Sequence, residues 1–132
     1  RHYPIPELLK EKMIQKDIKY QLFGFVDFMD ELMAIADVAI TKAGALTTTE
    51  CLASGLPLII FKPYPGQEER NCDYFLEHGV AVKVDQLPGL CYKIDSILND
   101  AKELDRMRSN ARQIAKPNSS ETIAKILLEL KY

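Results

Sequence analysis

The sequence predicts an α/β fold, a three-layer sandwich of helices around a parallel sheet. Three observations carry this. Apolar runs of strand length alternate with segments of helical period, which implies βαβ units. One run, Leu58-Ile59-Ile60-Phe61, is apolar without interruption, as in a strand buried on both faces. Glycine and proline punctuate the boundaries, most clearly at Gly55 and Pro57.

Taken in order, residues 7–15 read as a short amphipathic helix with Leu8, Leu9 and Met13 on one side. Ile18 to Phe25 reads as a strand, since Ile18, Tyr20 and Leu22 alternate and Gly24 ends the pattern. Phe28, Leu32 and Ile35 recur at helical spacing until Asp37, and Val38-Ala39-Ile40 is a short buried strand. Residues 46–54 are a helix closed by Gly55, and Leu58 to Phe61 is the next strand. Pro63, Pro65 and Gly66 stiffen a loop ahead of a helix from Gln67 to His78, which Gly79 closes. Val80 to Val84 is a further strand. Leu90, Ile94, Ile97 and Leu98 share a helix face, as do Leu104, Met107, Ala111 and Ile114. Lys116-Pro117 breaks the pattern, and Ser119 or Ser120 can cap a last helix carrying Ile123, Ile126, Leu127 and Leu130.

The 132 residues, 47% apolar, suit one domain with one core. A net charge of −2 gives no basis for binding nucleic acid or an anionic membrane surface. No apolar run is long enough to span a bilayer, and no signal-peptide pattern opens the chain. The three cysteines, Cys51, Cys72 and Cys91, are odd in number and widely spaced, which suits a reducing cytoplasm rather than a disulfide framework or zinc site. A first residue of Arg1 rather than Met leads us to expect a fragment of a longer chain or a processed chain.

Two segments can carry chemistry. In Thr41-Lys42-Ala43-Gly44-Ala45-Leu46-Thr47-Thr48-Thr49-Glu50, a strand runs through a glycine turn into a helix. Amides at a helix start, with the dipole behind them, form an anion site. Gly44 lets a phosphate approach the backbone, Thr47 adds a hydroxyl, and Glu50 shares a helix face with Thr47. From there a carboxylate can accept from ribose hydroxyls. Thr47-x-x-Glu50 equally matches a capping box with no ligand. In Pro63-Tyr64-Pro65-Gly66-Gln67-Glu68-Glu69-Arg70-Asn71, a rigid loop precedes a helix on which Gln67, Glu68 and Asn71 share a face. Amides and a carboxylate together supply the donors and acceptors that sugar hydroxyls need. The alternative is acidic residues stabilising a helix start, which accounts for Glu68 and Glu69 but not for Gln67 and Asn71. His78 suits the last turn of its helix. No P-loop, G-x-G-x-x-G or Asp-x-Asp pattern is present, and no serine or cysteine has a base at readable spacing.

Ala36-Asp37-Val38-Ala39-Ile40-Thr41-Lys42-Ala43-Gly44-Ala45-Leu46-Thr47 through Gly55-Leu56-Pro57, followed by Pro65-Gly66-Gln67-Glu68, resembles the donor-binding domain of the diacylglycerol glycosyltransferases. That group includes bacterial processive diacylglycerol β-glucosyltransferases and plant monogalactosyldiacylglycerol synthase. Asn118-Ser119-Ser120 before the last helix fits the same group, and the likeness runs from about Leu22 to Leu130. It implies a Rossmann-like domain, one half of a two-domain glycosyltransferase fold. The N-terminal half would bind the acceptor lipid and the C-terminal half a UDP-sugar. Catalysis would be inverting, without a metal or cofactor in the donor site. On this resemblance Gly44, Ala45, Leu46 and Thr47 form the diphosphate-binding turn. Glu50 holds the ribose, Gln67, Glu68 and Asn71 contact the sugar, and the backbone of Phe25 and Val26 meets the uracil. Many relatives carry Pro-Gly-Gly where this chain has Ala43-Gly44-Ala45.

The expectation is therefore that residues 1–132 are a partial C-terminal nucleotide-sugar-binding domain. The domain's first strand and the acceptor domain, which supplies the catalytic base, would lie outside them. The intact enzyme would move glucose or galactose from UDP-glucose or UDP-galactose to diacylglycerol. It would act in the cytoplasm, peripherally on the inner membrane face, while the fragment alone would transfer nothing. Two alternatives stand beside this reading: a separate donor-binding subunit of a split glycosyltransferase, and a non-catalytic nucleotide-sugar-binding module. A UDP-sugar epimerase would share the architecture, but the Pro65-Gly66-Gln67-Glu68 segment argues against it.

Overall fold

A computed structural model of the chain describes residues 19–130. The segment expected to be helical at 7–15, and Ile18, lie outside the described residues. Within them the order of elements is α1 (Met29–Ile35), β1 (Ala39–Thr41), α2 (Ala45–Ala53), β2 (Leu58–Phe61), α3 (Gln67–Glu77), β3 (Ala81–Val84), α4 (Leu87–Leu98), α5 (Ala101–Ile114) and α6 (Ser119–Glu129). The alternation predicted from the sequence is therefore present from β1 to β3.

The three strands form one sheet in the order β1-β2-β3, all parallel. Ala39 pairs with Leu58 and Leu58 with Ala81, so the strands start nearly level. Side chains alternate across the sheet. Leu58 and Ile60 point into a core that includes Met33 of α1, Cys51 and Leu52 of α2, Cys72 and Phe75 of α3, and Ala111 of α5. Ile59 and Phe61 point the other way, toward Ile94 and Ile97 of α4 and Leu104 and Met107 of α5. Burial on both faces explains why β2 is apolar at every position: Leu58, Ile59 and Ile60 are fully covered. The result is the expected three-layer sandwich.

The turns that set this geometry follow from local chemistry. Gly55 and Gly79, after α2 and α3, have φ of 67° and 62°, a left-handed conformation that side chains resist. Each is also closely packed: a Cβ at Gly55 would lie 2.8 Å from Arg112 Nε, and one at Gly79 2.8 Å from Arg106 Nη1. Asp100 separates α4 from α5, and its carboxylate accepts from the amides of Lys102 and Glu103, both at 3.1 Å. An ion pair of 2.8 Å between Arg108 and Asp37 ties α5 to the chain ahead of β1.

Four expectations are corrected. Lys19 to Phe25 contains no strand. Alternation alone does not make a strand, because strand formation depends on tertiary context, and the described sheet has only β1, β2 and β3. β1 is accordingly an edge strand and not a buried one, and Ile40 is 48% exposed. In α1 the residue that reaches the core is Met33, while Ile35 is 80% exposed and Phe28 is the N-cap. The N-cap of α6 is Asn118, with no side-chain cap bond, so Ser119 and Ser120 lie inside the first turn. Among the described residues no helix is long and apolar enough to cross a membrane.

Candidate functional site

Because the strands are parallel, the chain leaves β1 at Thr41 and β2 at Phe61 on the same edge of the sheet. Ligands in open α/β sheets bind at this carboxyl edge. The segments Lys42–Gly44 and Lys62–Gly66 are thus neighbours, and a side chain joins them directly. Asn71 Nδ2, on α3, donates to the carbonyl of Ala43 at 2.9 Å across 28 residues of sequence. The two segments picked out in the sequence share one rim.

The first segment starts α2 without neutralising it. Gly44 is the N-cap, no side chain caps the helix, and no acidic residue stands in its first turn. The first helical bond runs from the Thr48 amide to Gly44 O at 3.1 Å. The amides of Ala45, Leu46 and Thr47 precede that ladder. Space in front of them is open: a Cβ built on Gly44 would meet no heavy atom within 4 Å. Ala45, Leu46 and Thr47 are exposed. The capping box considered for Thr47 and Glu50 is not formed, because the cap falls three residues earlier. Thr48 turns inward instead, while Thr49 stays exposed. The hydroxyl of buried Thr48 donates to Gly44 O at 2.7 Å, and that of Thr49 to Ala45 O at 2.8 Å. Such bonds back into the helix satisfy the hydroxyls locally.

Glu50 is exposed and lines a cavity of about 220 Å³ with Met29, Asp30 and Met33 of α1, Ala53 of α2 and Ser54, the C-cap of that helix. Phe25 and Val26 sit immediately before α1, with Phe25 96% exposed and Val26 half-buried. No strand carries them to the rim, and it is Met29, Asp30 and Met33 of α1, not Phe25 or Val26, that line the cavity with Glu50.

In the second segment the backbone is under local constraint. Lys62 adopts φ of 46° just before Pro63, and Gly66 has φ of 99°. Glu68 closes this loop by accepting from the Tyr64 amide at 2.8 Å, and Glu69 faces the Gly66 amide at 3.4 Å. Both carboxylates thus have structural partners. Asn71 spends one amide proton on Ala43, leaving its carbonyl and second proton available. Gln67 is exposed and makes no side-chain hydrogen bond among the described residues. A larger cleft, about 390 Å³, runs behind this rim between Ala45, Thr49 and Leu52 on α2 and Asn71 and Tyr74 on α3.

One contact was not foreseen. The Lys42 ammonium lies 3.6 Å from the centroid of the Tyr64 ring, a cation–π contact between the two loops. Only the three-dimensional meeting of the loops reveals it. Among the described residues no cluster of His, Cys, Asp and Glu could hold a metal ion. The cysteines are thiols. Burial, with Glu50 adding to it, raises Cys51 to about 11, and burial also raises Cys72.

The chain matches the family model described as "Glycosyltransferase family 28 C-terminal domain" over residues 5–127. It belongs to that family. Among the similar curated proteins of this family is the processive diacylglycerol beta-glucosyltransferase of Bacillus subtilis, 39% identical over 111 residues, covering 84% of this chain and 29% of that protein. The Bacillus licheniformis protein of the same name is 38% identical over 111 residues with the same coverage. That of Bacillus cytotoxicus is 33% identical over 123 residues, 93% of this chain and 31% of its own length. The chain thus spans less than a third of the length of these relatives. The fold is shared with MurG of Acinetobacter baumannii at a TM-score of 0.73 and 22% identity, covering 93% of this chain and 38% of that one.

Proposed function

We propose that this chain is the nucleotide-sugar-binding part of an inverting two-domain glycosyltransferase that transfers glucose or galactose from a UDP-sugar to diacylglycerol. The observation that carries the proposal is the bond from Asn71 to Ala43 O, which holds the glycine turn and the Gln67–Asn71 helix start on one rim. The names of the Bacillus relatives support the choice of a hexosyl donor and a diacylglycerol acceptor.

In this reading the amides of Ala45, Leu46 and Thr47 take the diphosphate at Gly44, with the Thr47 hydroxyl beside them. Negative charge grows on the departing UDP as the glycosidic bond breaks, and pre-aimed amides stabilise it more in the transition state than in the ground state. Glu50 accepts from the ribose hydroxyls. The base lies against the backbone of Phe25 and Val26. Gln67, Glu68 and Asn71 hold the hexose so that its anomeric carbon faces the acceptor hydroxyl. No residue here is assigned the catalytic base, which the acceptor-binding half would supply. The intact enzyme would work in the cytoplasm, peripherally at the inner membrane face.

Calorimetry of the chain with UDP tests the donor site. The wild type should bind. Glu50→Ala should weaken binding by at least about tenfold, the loss expected for hydrogen bonds to a charged acceptor. Equal binding by the variant would refute the role of Glu50, and no binding by the wild type would refute the donor site itself.

A further inference from the structure

Resting on the donor-site reading above, we infer that Lys42 supplies the positive charge that the donor's diphosphate requires, and that the Tyr64 ring positions Lys42 to do so.

The electrostatics of the rim pose the problem. A nucleoside diphosphate carries at least two negative charges, while the residues assigned to the donor are neutral or acidic: Thr47, Glu50, Gln67, Glu68 and Asn71. A helix dipole compensates only about half an elementary charge. A side-chain cation close to Gly44 would supply part of the remainder. Lys42 precedes that glycine by two residues, leaves the same strand and is exposed.

Left alone, an exposed lysine samples many rotamers and brings little oriented charge to a ligand. Here it is held. Its ammonium sits 3.6 Å from the Tyr64 ring centroid. Tyr64 is in turn fixed through its own amide, which donates to Glu68 at 2.8 Å. Two links therefore cross or support the gap between the loops: Asn71 to the Ala43 carbonyl, and Glu68 through Tyr64 to Lys42. Two of the three residues assigned to the sugar, Glu68 and Asn71, are thus also the ones that brace the diphosphate turn. An aromatic face suits this task better than a carboxylate would. It orients the ammonium without neutralising it, so the full charge stays available to an arriving phosphate. Lys42 would contact the donor, and Tyr64 would act through Lys42.

The experiment is calorimetry of the whole chain with UDP and with uridine as separate titrants. The UDP-to-uridine affinity ratio isolates the diphosphate. Lys42→Met should lower that ratio at least about tenfold, and Lys42→Arg should restore most of it. Tyr64→Leu should lower it by a smaller factor, about two- to fivefold for an exposed cation–π contact, while Tyr64→Phe keeps it. The double variant Lys42→Met with Tyr64→Leu should be no worse than Lys42→Met alone. An unchanged ratio in Lys42→Met with a binding wild type would overturn the inference and leave the donor site standing. A Tyr64→Leu loss that persists fully on the Lys42→Met background would overturn the positioning role. A wild type that binds neither titrant would remove both readings.

Discussion

Under the proposed function, single residues on the rim would do two jobs each. Glu68 and Asn71 were singled out as sugar contacts, yet each holds backbone in the free protein: Glu68 the Tyr64 amide, and Asn71 the Ala43 carbonyl. The sequence showed these residue types at helical spacing. It did not show which backbone groups they would meet, because those groups approach only after β1 and β2 pair. Thr48 passed unnoticed for the same reason: in a Thr-Thr-Thr run only the helix phase decides which hydroxyl is buried. The cysteines behave as their isolation suggested. Cys51 is covered and its thiol is raised from 9.0 to about 11, chiefly by burial. A raised thiol stays neutral in the fold while the unfolded chain ionises from its ordinary value. Stability should therefore be intact below about pH 9 and fall as pH rises toward 11. A Cys51→Ala variant, followed by urea denaturation against pH, should lose that part of the decline. A native-state thiol titration should also find Cys91 reactive and Cys51 and Cys72 protected, since only Cys91 is exposed.

At the scale of elements, the legible parts were those whose boundaries rest on local chemistry. Gly55 with Pro57, and Gly79, mark helix ends because a positive φ and a blocked amide act without any tertiary partner. β2 was legible because burial on both faces leaves an uninterrupted apolar run. Lys19 to Phe25 misled because alternation records which side chains could face a core, not whether the backbone pairs with the sheet. The start of α6 misled because Asn118, Ser119 and Ser120 are all good caps and only the backbone angle selects among them. The break between α4 and α5 is better determined. Asp100 alone satisfies two first-turn amides of α5. Asp100→Ala should lower the stability of the chain by about 1 kcal/mol, measured by the urea midpoint at unchanged slope. A change within error would mean that packing of Met107 and Ala111 holds α5 without its cap.

Across the whole molecule, the placement of the proposed donor site follows from strand direction. Parallel pairing sends the loops after β1 and β2 to one edge and the glycine-closed helix ends, Gly55 and Gly79, to the other. One edge thus gathers uncapped amides, open space at Gly44, an oriented cation and polar side chains. The other is sealed by arginines from α5 packed on the glycines. The alternation of elements and the two motif segments made this arrangement readable from the sequence, since topology alone puts both loops on one rim. The Lys42–Tyr64 contact and the mutual bracing of the loops were not readable, because they depend on side-chain reach across that rim. The most direct test of the account is a UDP titration followed by amide NMR shifts. The largest shifts should fall on Gly44, Ala45, Leu46 and Thr47, with smaller ones at Gln67 to Asn71. Shifts centred on Gly55 and Gly79, or spread evenly over both edges, would contradict it.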